Sequence, residues 1–233
     1  MHKAGFVNIV GNPNVGKSTL MNRLVGEKIS IITSKSQTTR HRIKGIVNTD
    51  DYQIVFSDTP GVVKPSYKMQ EYMLEFSKSA LVDADIILYV TDVVENIEKN
   101  LDFIDKVNKS DIPVLLVINK IDLPSADPER VKEEIEDVIG LDASDAPLIS
   151  AKMGTNIEEV LEQIVTKIPA PSGDENAPLR ALIFDSIYDA YKGVIIFCRL
   201  FDGSVKKGQE ILMMATGAKA EVVEVGVFGA GQY

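Results

Sequence analysis

Asn119-Lys120-Ile121-Asp122 closes the apolar run Ile112 to Ile118, and a carboxylate fixed at the end of such a run can identify a base. The Asp122 side chain can accept hydrogen bonds from both N1–H and the 2-amino group of guanine. Adenine has neither donor on that edge and would leave the carboxylate unpaired. With a phosphate loop upstream, the tetrad implies GTP as the ligand.

Such a loop is present. Gly5 to Val10 is a short β-prone segment that runs directly into Gly11-Asn12-Pro13-Asn14-Val15-Gly16-Lys17-Ser18, a match to G-x-x-x-x-G-K-[ST]. Leu20, Met21, Leu24 and Val25, at helical spacing after Thr19, supply the helix that must follow. Gly11 and Gly16 permit the tight turn that converges main-chain NH groups and the helix N-terminus on phosphates. The motif predicts the Lys17 ammonium on the β and γ phosphates and the Ser18 hydroxyl on Mg²⁺. Asn12, Asn14, Val15 and Thr19 complete the expected nucleotide contacts in this region.

Two further motifs complete the reaction centre. Asp58-Thr59-Pro60-Gly61 follows the strand-like Gln53 to Phe56; Asp58 is placed to hold Mg²⁺ through a water, and the Gly61 NH to reach the γ-phosphate. Ser150-Ala151-Lys152 follows the last apolar run of this region, where the Ala151 NH can donate to guanine O6 and reject adenine's amino group. Either motif alone carries little weight. In the order loop, D-x-x-G, N-K-x-D, S-A-K, each at a strand end, they specify one guanine-nucleotide pocket.

The elements that must position these groups alternate over the first 170 residues. Apolar runs at Arg42 to Val47, Gln53 to Phe56, Ile86 to Val90, Val114 to Ile118 and Pro147 to Ile149 are separated by helical patterns. These lie near Gln70 to Leu81, Asn96 to Asn108, Pro128 to Val138 and Ile157 to Val165. Such alternation predicts an α/β fold, a mostly parallel sheet with helices on both faces, and in such sheets ligands bind beyond the carboxyl ends of the strands. The motifs fall there.

Bulk properties agree with a cytoplasmic α/β chain. At 233 residues and 45% hydrophobic content the chain can bury one large core with a smaller appendage. No apolar run reaches the ~18 residues of a membrane span and no signal peptide is evident, which leaves only peripheral membrane contact open. Cys198 lies in the apolar run Val194 to Phe201 and is expected to be a buried structural thiol. The net charge is −9; residues 179–233 balance 6 Lys+Arg against 6 Asp+Glu, so the excess acid lies in residues 1–178. Any RNA contact must therefore be local. Residues 28–49, with Lys28, Lys35, Arg40, Arg42 and Lys44 and no acid, are one candidate; a solvated loop serving only the nucleotide is the alternative.

The motif set is that of the small GTPase superfamily, and GFVNIVGNPNVGKSTLMN, KISIITSKSQTTRHRI and VFSDTPGV resemble the Era family of bacterial ribosome-assembly GTPases. That resemblance implies that Gln37-Thr38-Thr39-Arg40-His41 is the first switch. Of its two threonines it favours Thr39 as the Mg²⁺ ligand, with Thr38 the alternative. Val62 stands after Gly61, where many GTPases carry a glutamine that orients the attacking water, and a valine can neither donate nor accept. The P-N-x-G-K-S form of the loop resembles that of GTPases in which the asparagine, here Asn14, helps hold K⁺ against the phosphates; a loop-shaping role is the other reading.

From about residue 119 the resemblance shifts. Asn119 to Arg130, EEIEDVIGLDASDAPLISAKMG and PLRALIFDSIYDAYKGVIIFCRLFDGSVKKGQEI resemble the LepA family of translation elongation factors. An Era protein should continue to a KH RNA-binding domain, and no helical pattern of that kind follows Val165. LepA's own histidine after D-x-x-G is replaced by Val62. The chain thus resembles a hybrid with its seam at the shared N-K-I-D.

Residues 169–178 are rich in turn formers and acids and read as a linker between a GTP-binding domain over 1–168 and a β region over 179–233. Leu179 to Phe184, Val194 to Phe201, Glu210 to Met214 and Glu221 to Phe228 are strand candidates, with turns at Asp202-Gly203 and Thr216-Gly217. By resemblance this is part of the second-domain antiparallel β-barrel of translation GTPases, which helps dock the factor on the small ribosomal subunit. Four or five strands are few for closure, so self-association through exposed edges is expected. The combined expectation is a Mg²⁺-dependent GTPase, converting GTP to GDP, that contacts the ribosome or small-subunit rRNA. The alternatives are a nucleotide-regulated binding module with negligible hydrolysis and a non-functional hybrid.

Overall fold

Lys3–Val10 forms strand β1, whose last six residues are buried, as a central position between two neighbours requires. A computed structural model describes residues 2–30, 43–61, 84–94, 105, 107–168 and 173–227. The helical patterns at 70–81 and most of 96–108, the switch residues Gln37 to His41 with Thr38 and Thr39, and Val62 lie outside the described residues.

The remaining elements of the first unit are α1 (Lys17–Val25), β2 (Ile43–Asn48), β3 (Tyr52–Asp58), β4 (Ile86–Asp92), β5 (Val114–Asn119), α2 (Pro128–Ile139) and α3 (Ile157–Lys167). The strands lie in the order β2-β3-β1-β4-β5. β1 pairs in parallel with β3 and β4, and β4 with β5, while β2 runs antiparallel to β3. The expected strand Pro147 to Ile149 appears as a single parallel bridge from Ile118 to Leu148.

Period-two alternation divides the core between the two faces of the sheet. Leu88, Val90, Leu115 and Val117 pack with Leu20, Met21 and Leu24 of α1 and Val160 and Ile164 of α3. Their strand neighbours Ile87, Tyr89, Leu116 and Ile118 pack with Val131, Ile135 and Ile139 of α2. All seven residues of β4 are buried, which explains its unbroken apolar run.

Local signals set the helix ends. The Asp127 side chain caps α2 by accepting from Arg130 N, Pro128 fills the first turn where an NH is dispensable, and Gly140 ends the helix with φ 70. In α3, Glu158 and Glu159 occupy the first turn, and Lys3 Nζ donates to the Val165 carbonyl at 2.6 Å near its end.

The second unit is antiparallel. β6 (Arg180–Asp189) pairs with β7 (Gly193–Asp202) across a turn in which Asp189 Oδ1 accepts from the NH groups of Tyr191 and Lys192, both at 2.8 Å. β6 runs five residues beyond the expected Phe184 because β7 supplies partners for the polar, less strand-prone end of the segment. β8 (Glu210–Leu212) pairs with β9 (Lys219–Glu221), so this last strand precedes the expected Glu221 to Phe228. Val222 continues that ladder through Gln209, after which no strand is assigned up to Val227. Among the described residues the two pairs are separate two-stranded sheets.

Cys198 is exposed, contrary to the expected burial. It shares a face of β7 with Val194 and Leu200, which are also exposed, because no further layer packs on that face among the described residues. Among the described residues no helix is long and apolar enough to cross a membrane.

Candidate nucleotide site

Gly11 opens the loop at the carboxyl end of β1, and Gly16 closes it as the residue before α1, with φ 100. That backbone favours glycine, and a Cβ there would lie 2.2 Å from Asn119 Nδ2. The loop therefore lies directly against the end of β5. Asn119, itself buried, donates from Nδ2 to the Val15 carbonyl at 2.8 Å and accepts at Oδ1 from the Ala151 NH at 2.9 Å. One amide thus fastens the phosphate loop, the N-K-x-D tetrad and the S-A-K loop into a single piece.

On the phosphate side, Lys17 is buried and its Nζ donates to the Asn12 carbonyl at 2.7 Å. A phosphate oxygen would compete for that ammonium with a stronger, charge-assisted bond. Ser18 Oγ donates to Asp58 Oδ2 at 2.6 Å. A buried carboxylate beside a hydroxyl is the hard oxygen set that Mg²⁺ takes. These residues fit Mg²⁺.

The Asp58-Thr59-Pro60-Gly61 turn is pinned to the loop. Thr59 Oγ1 donates to the Ile9 carbonyl at 2.7 Å, and a Cβ on Gly61 would meet Pro13 N at 2.7 Å. Only a glycine allows that approach. Asn14 is exposed with φ 65, a left-handed conformation that asparagine tolerates. Thr19 follows in the first turn of α1, half-buried.

On the base side, Asp122 is exposed, and its Oδ1 accepts from Ser150 Oγ at 2.7 Å. Ser150 Oγ also accepts from the Met153 NH at 3.1 Å, so it orients the carboxylate from a fixed turn. Lys120 has φ 65 and its Nζ pairs with the buried Asp92 carboxylate at 2.5 Å. Lys152 is exposed on the S-A-K loop. The Ala151 NH, expected to meet guanine O6, is engaged by Asn119 Oδ1, so a base oxygen must share or replace that acceptor.

Two contributors were not read from the sequence. Asp92, at the end of β4, belongs to no motif but holds Lys120. Arg23 of α1 donates from Nε to the Ala151 carbonyl at 3.1 Å and from Nη2 to the Lys152 carbonyl at 2.8 Å. No spacing rule connects an arginine with a loop 128 residues away. The basic stretch 28–49 is described only at its ends, where the Asn22 side chain fixes the NH groups of Ile29 and Ser30.

Residues 6–120 match the family described as 50S ribosome-binding GTPase. Elongation factor 4 of Lachnospira eligens is 51% identical over 97% of the chain, which spans 39% of that protein's length. The structure of Era with MgGDPNP and nucleotides 1506-1542 of 16S ribosomal RNA superposes with a TM-score of 0.62 at 32% identity, covering 83% of this chain and 62% of that one. The bacterial selenocysteine-specific elongation factor EF-Sec gives a TM-score of 0.69 over 95% of this chain and 38% of its own, at 18% identity, a likeness of fold alone. The first unit is a P-loop GTPase domain, and antiparallel sheets follow it.

Proposed function

We propose, for a chain that belongs to the translational GTPase family, that it binds GTP and Mg²⁺, hydrolyses GTP to GDP and phosphate, and acts in translation or ribosome assembly in the cytoplasm. The observation that carries this reading is the double hydrogen bond of Asn119, which fixes the separation of phosphate and base subsites before any ligand arrives. Preorganised donors of this kind lower the reorganisation needed as charge develops.

Water attacks the γ-phosphate in line. The loop NH groups, Lys17 and the Gly61 NH stabilise the equatorial oxygens, and Asp122, Asn119 and the Ala151 NH read the base. Ser18 and Thr39, with Asp58 through a water, would hold Mg²⁺, which would supply charge neutralisation at the phosphates. Asn14 would help hold K⁺ at the phosphates, where the ion would supply the positive charge that an arginine finger supplies elsewhere. Faster hydrolysis in K⁺ than in Na⁺, lost in Asn14→Ala, is the expected signature; equal rates in both salts would remove the ion from the mechanism.

Ribosomal RNA of the small subunit is the proposed partner, supported by the Era complex with 16S ribosomal RNA. Single-turnover GTP hydrolysis with and without ribosomal subunits tests the whole reading: measurable turnover alone and a faster rate with subunits are expected. A second reading, a nucleotide-regulated ribosome-binding module, is favoured by Val62, which cannot orient water. It predicts ribosome-dependent nucleotide affinity with no turnover.

We also infer that the chain joins an Era-like segment to a LepA-like one at Asn119 to Asp122, with domains over 1–168 and 179–233 and a linker between. Separate comparison of residues 2–118 and 123–227 with both families should reverse their ranking. The same ranking for both halves would reject the seam. The exposed apolar side chains of the second unit, Tyr188, Tyr191, Val194 and Met214 among them, support self-association, which concentration-dependent sedimentation would reveal.

A further inference from the structure

We propose that Arg23 is a positioning residue for base selection, setting the S-A-K loop so that the Ala151 NH can be given to a base oxygen. The proposal rests on the reading of this pocket as a guanine-nucleotide site. It concerns which residue holds the O6 donor in place.

The geometry is a bidentate clamp. Arg23 Nε and Nη2 donate to the consecutive carbonyls of Ala151 and Lys152, at 3.1 and 2.8 Å. A planar fork with fixed donors suits two adjacent carbonyls in a way a single ammonium cannot. The Ala151 NH belongs to the peptide before those carbonyls, so the clamp acts on it through the φ and ψ angles of Ala151, which Arg23 fixes from the carbonyl side. On its other side the loop is closed by Gly154 N and Thr155 N donating to the Ser150 carbonyl, at 2.8 and 3.1 Å. Those bonds hold the peptide that carries the Ala151 NH at its Ser150 end, and Arg23 holds the two carbonyls that follow.

The clamp also has a direction. Arg23 stands on the helix that begins at Lys17 and Ser18, so the base loop is referenced to the phosphate-binding helix. Asn119 links the same two regions through Val15 and Ala151 on the inner side. Arg23 does so from the outer, exposed side. Losing it should leave the core intact while letting the Ala151 NH wander from the base.

Nucleotide chemistry separates this role from a general structural one. GDP and inosine diphosphate both present O6, whereas 2-aminopurine riboside diphosphate has a hydrogen at C6 and offers the Ala151 NH nothing to meet. In Arg23→Ala, dissociation constants for GDP and inosine diphosphate should each rise about five- to tenfold, the worth of roughly one hydrogen bond. Affinity for the 2-aminopurine nucleotide should change less than about twofold on the same argument. Arg23→Lys, which reaches one carbonyl at a time, should fall between. A urea midpoint equal to the parent's is expected for both variants. Equal weakening of all three nucleotides, or of none, would overturn the proposal; failure of the parent protein to bind GDP would instead overturn the reading it rests on.

Discussion

Asn119 and Val15 are joined by a 2.8 Å hydrogen bond that spans 104 residues of sequence. Both partners are buried, and the same amide accepts from Ala151. In Asn119→Ala the Val15 carbonyl and the Ala151 NH would lose their shared partner in a dry setting, at a cost of about 2–4 kcal/mol. A lower urea midpoint together with loss of GDP binding is expected. Parent-like stability in equilibrium unfolding would mean that the two loops hold each other by other means.

Gly16→Ala attacks the same junction from the loop side. The left-handed backbone at φ 100 already disfavours alanine, and its Cβ would sit 2.2 Å from Asn119 Nδ2. Asn119 must then swing away and release both hydrogen bonds. We expect a loss of about 2–4 kcal/mol and of nucleotide binding together. Binding titrations with intact affinity would contradict this coupling.

The sequence makes the pocket legible because each motif imposes its own backbone. Gly16 and Gly61 are needed where a side chain would strike Asn119 or Pro13, and Asp122 and Ser150 lie at strand ends whose apolar runs are easily seen. Arg23 and Asp92 are illegible for the opposite reason: an exposed arginine in α1 and an acid at the end of β4 acquire their roles only from the residues that folding brings beside them. The second unit is less legible still. Val222 to Val227 has the composition of a strand but no strand assigned to it, since composition permits pairing and only a neighbour provides it.

Cys198 is the clearest case of pattern overruled by packing. The thiol is exposed, yet partial burial raises its pKa above the ordinary value. A raised pKa means less thiolate at neutral pH, and thiolate is the nucleophile. Iodoacetamide should therefore alkylate Cys198 completely but more slowly than free cysteine at pH 7, with the difference removed in urea. A rate faster than that of free cysteine would require an activating partner near the sulfur.

Asp122→Asn tests base recognition most directly. The Asp122 carboxylate is exposed and held by Ser150 Oγ, so the substitution keeps the shape and changes only the hydrogen-bond polarity. An amide can donate to the 2-carbonyl of xanthine where the carboxylate accepts from the 2-amino group of guanine. GTP affinity should fall by about 100-fold, with two charge-assisted bonds lost, while that for XTP rises. Competition between labelled GDP and unlabelled XTP measures the exchange. A variant that still prefers GTP would place guanine recognition elsewhere, on the Ala151 NH and the loop that Arg23 holds.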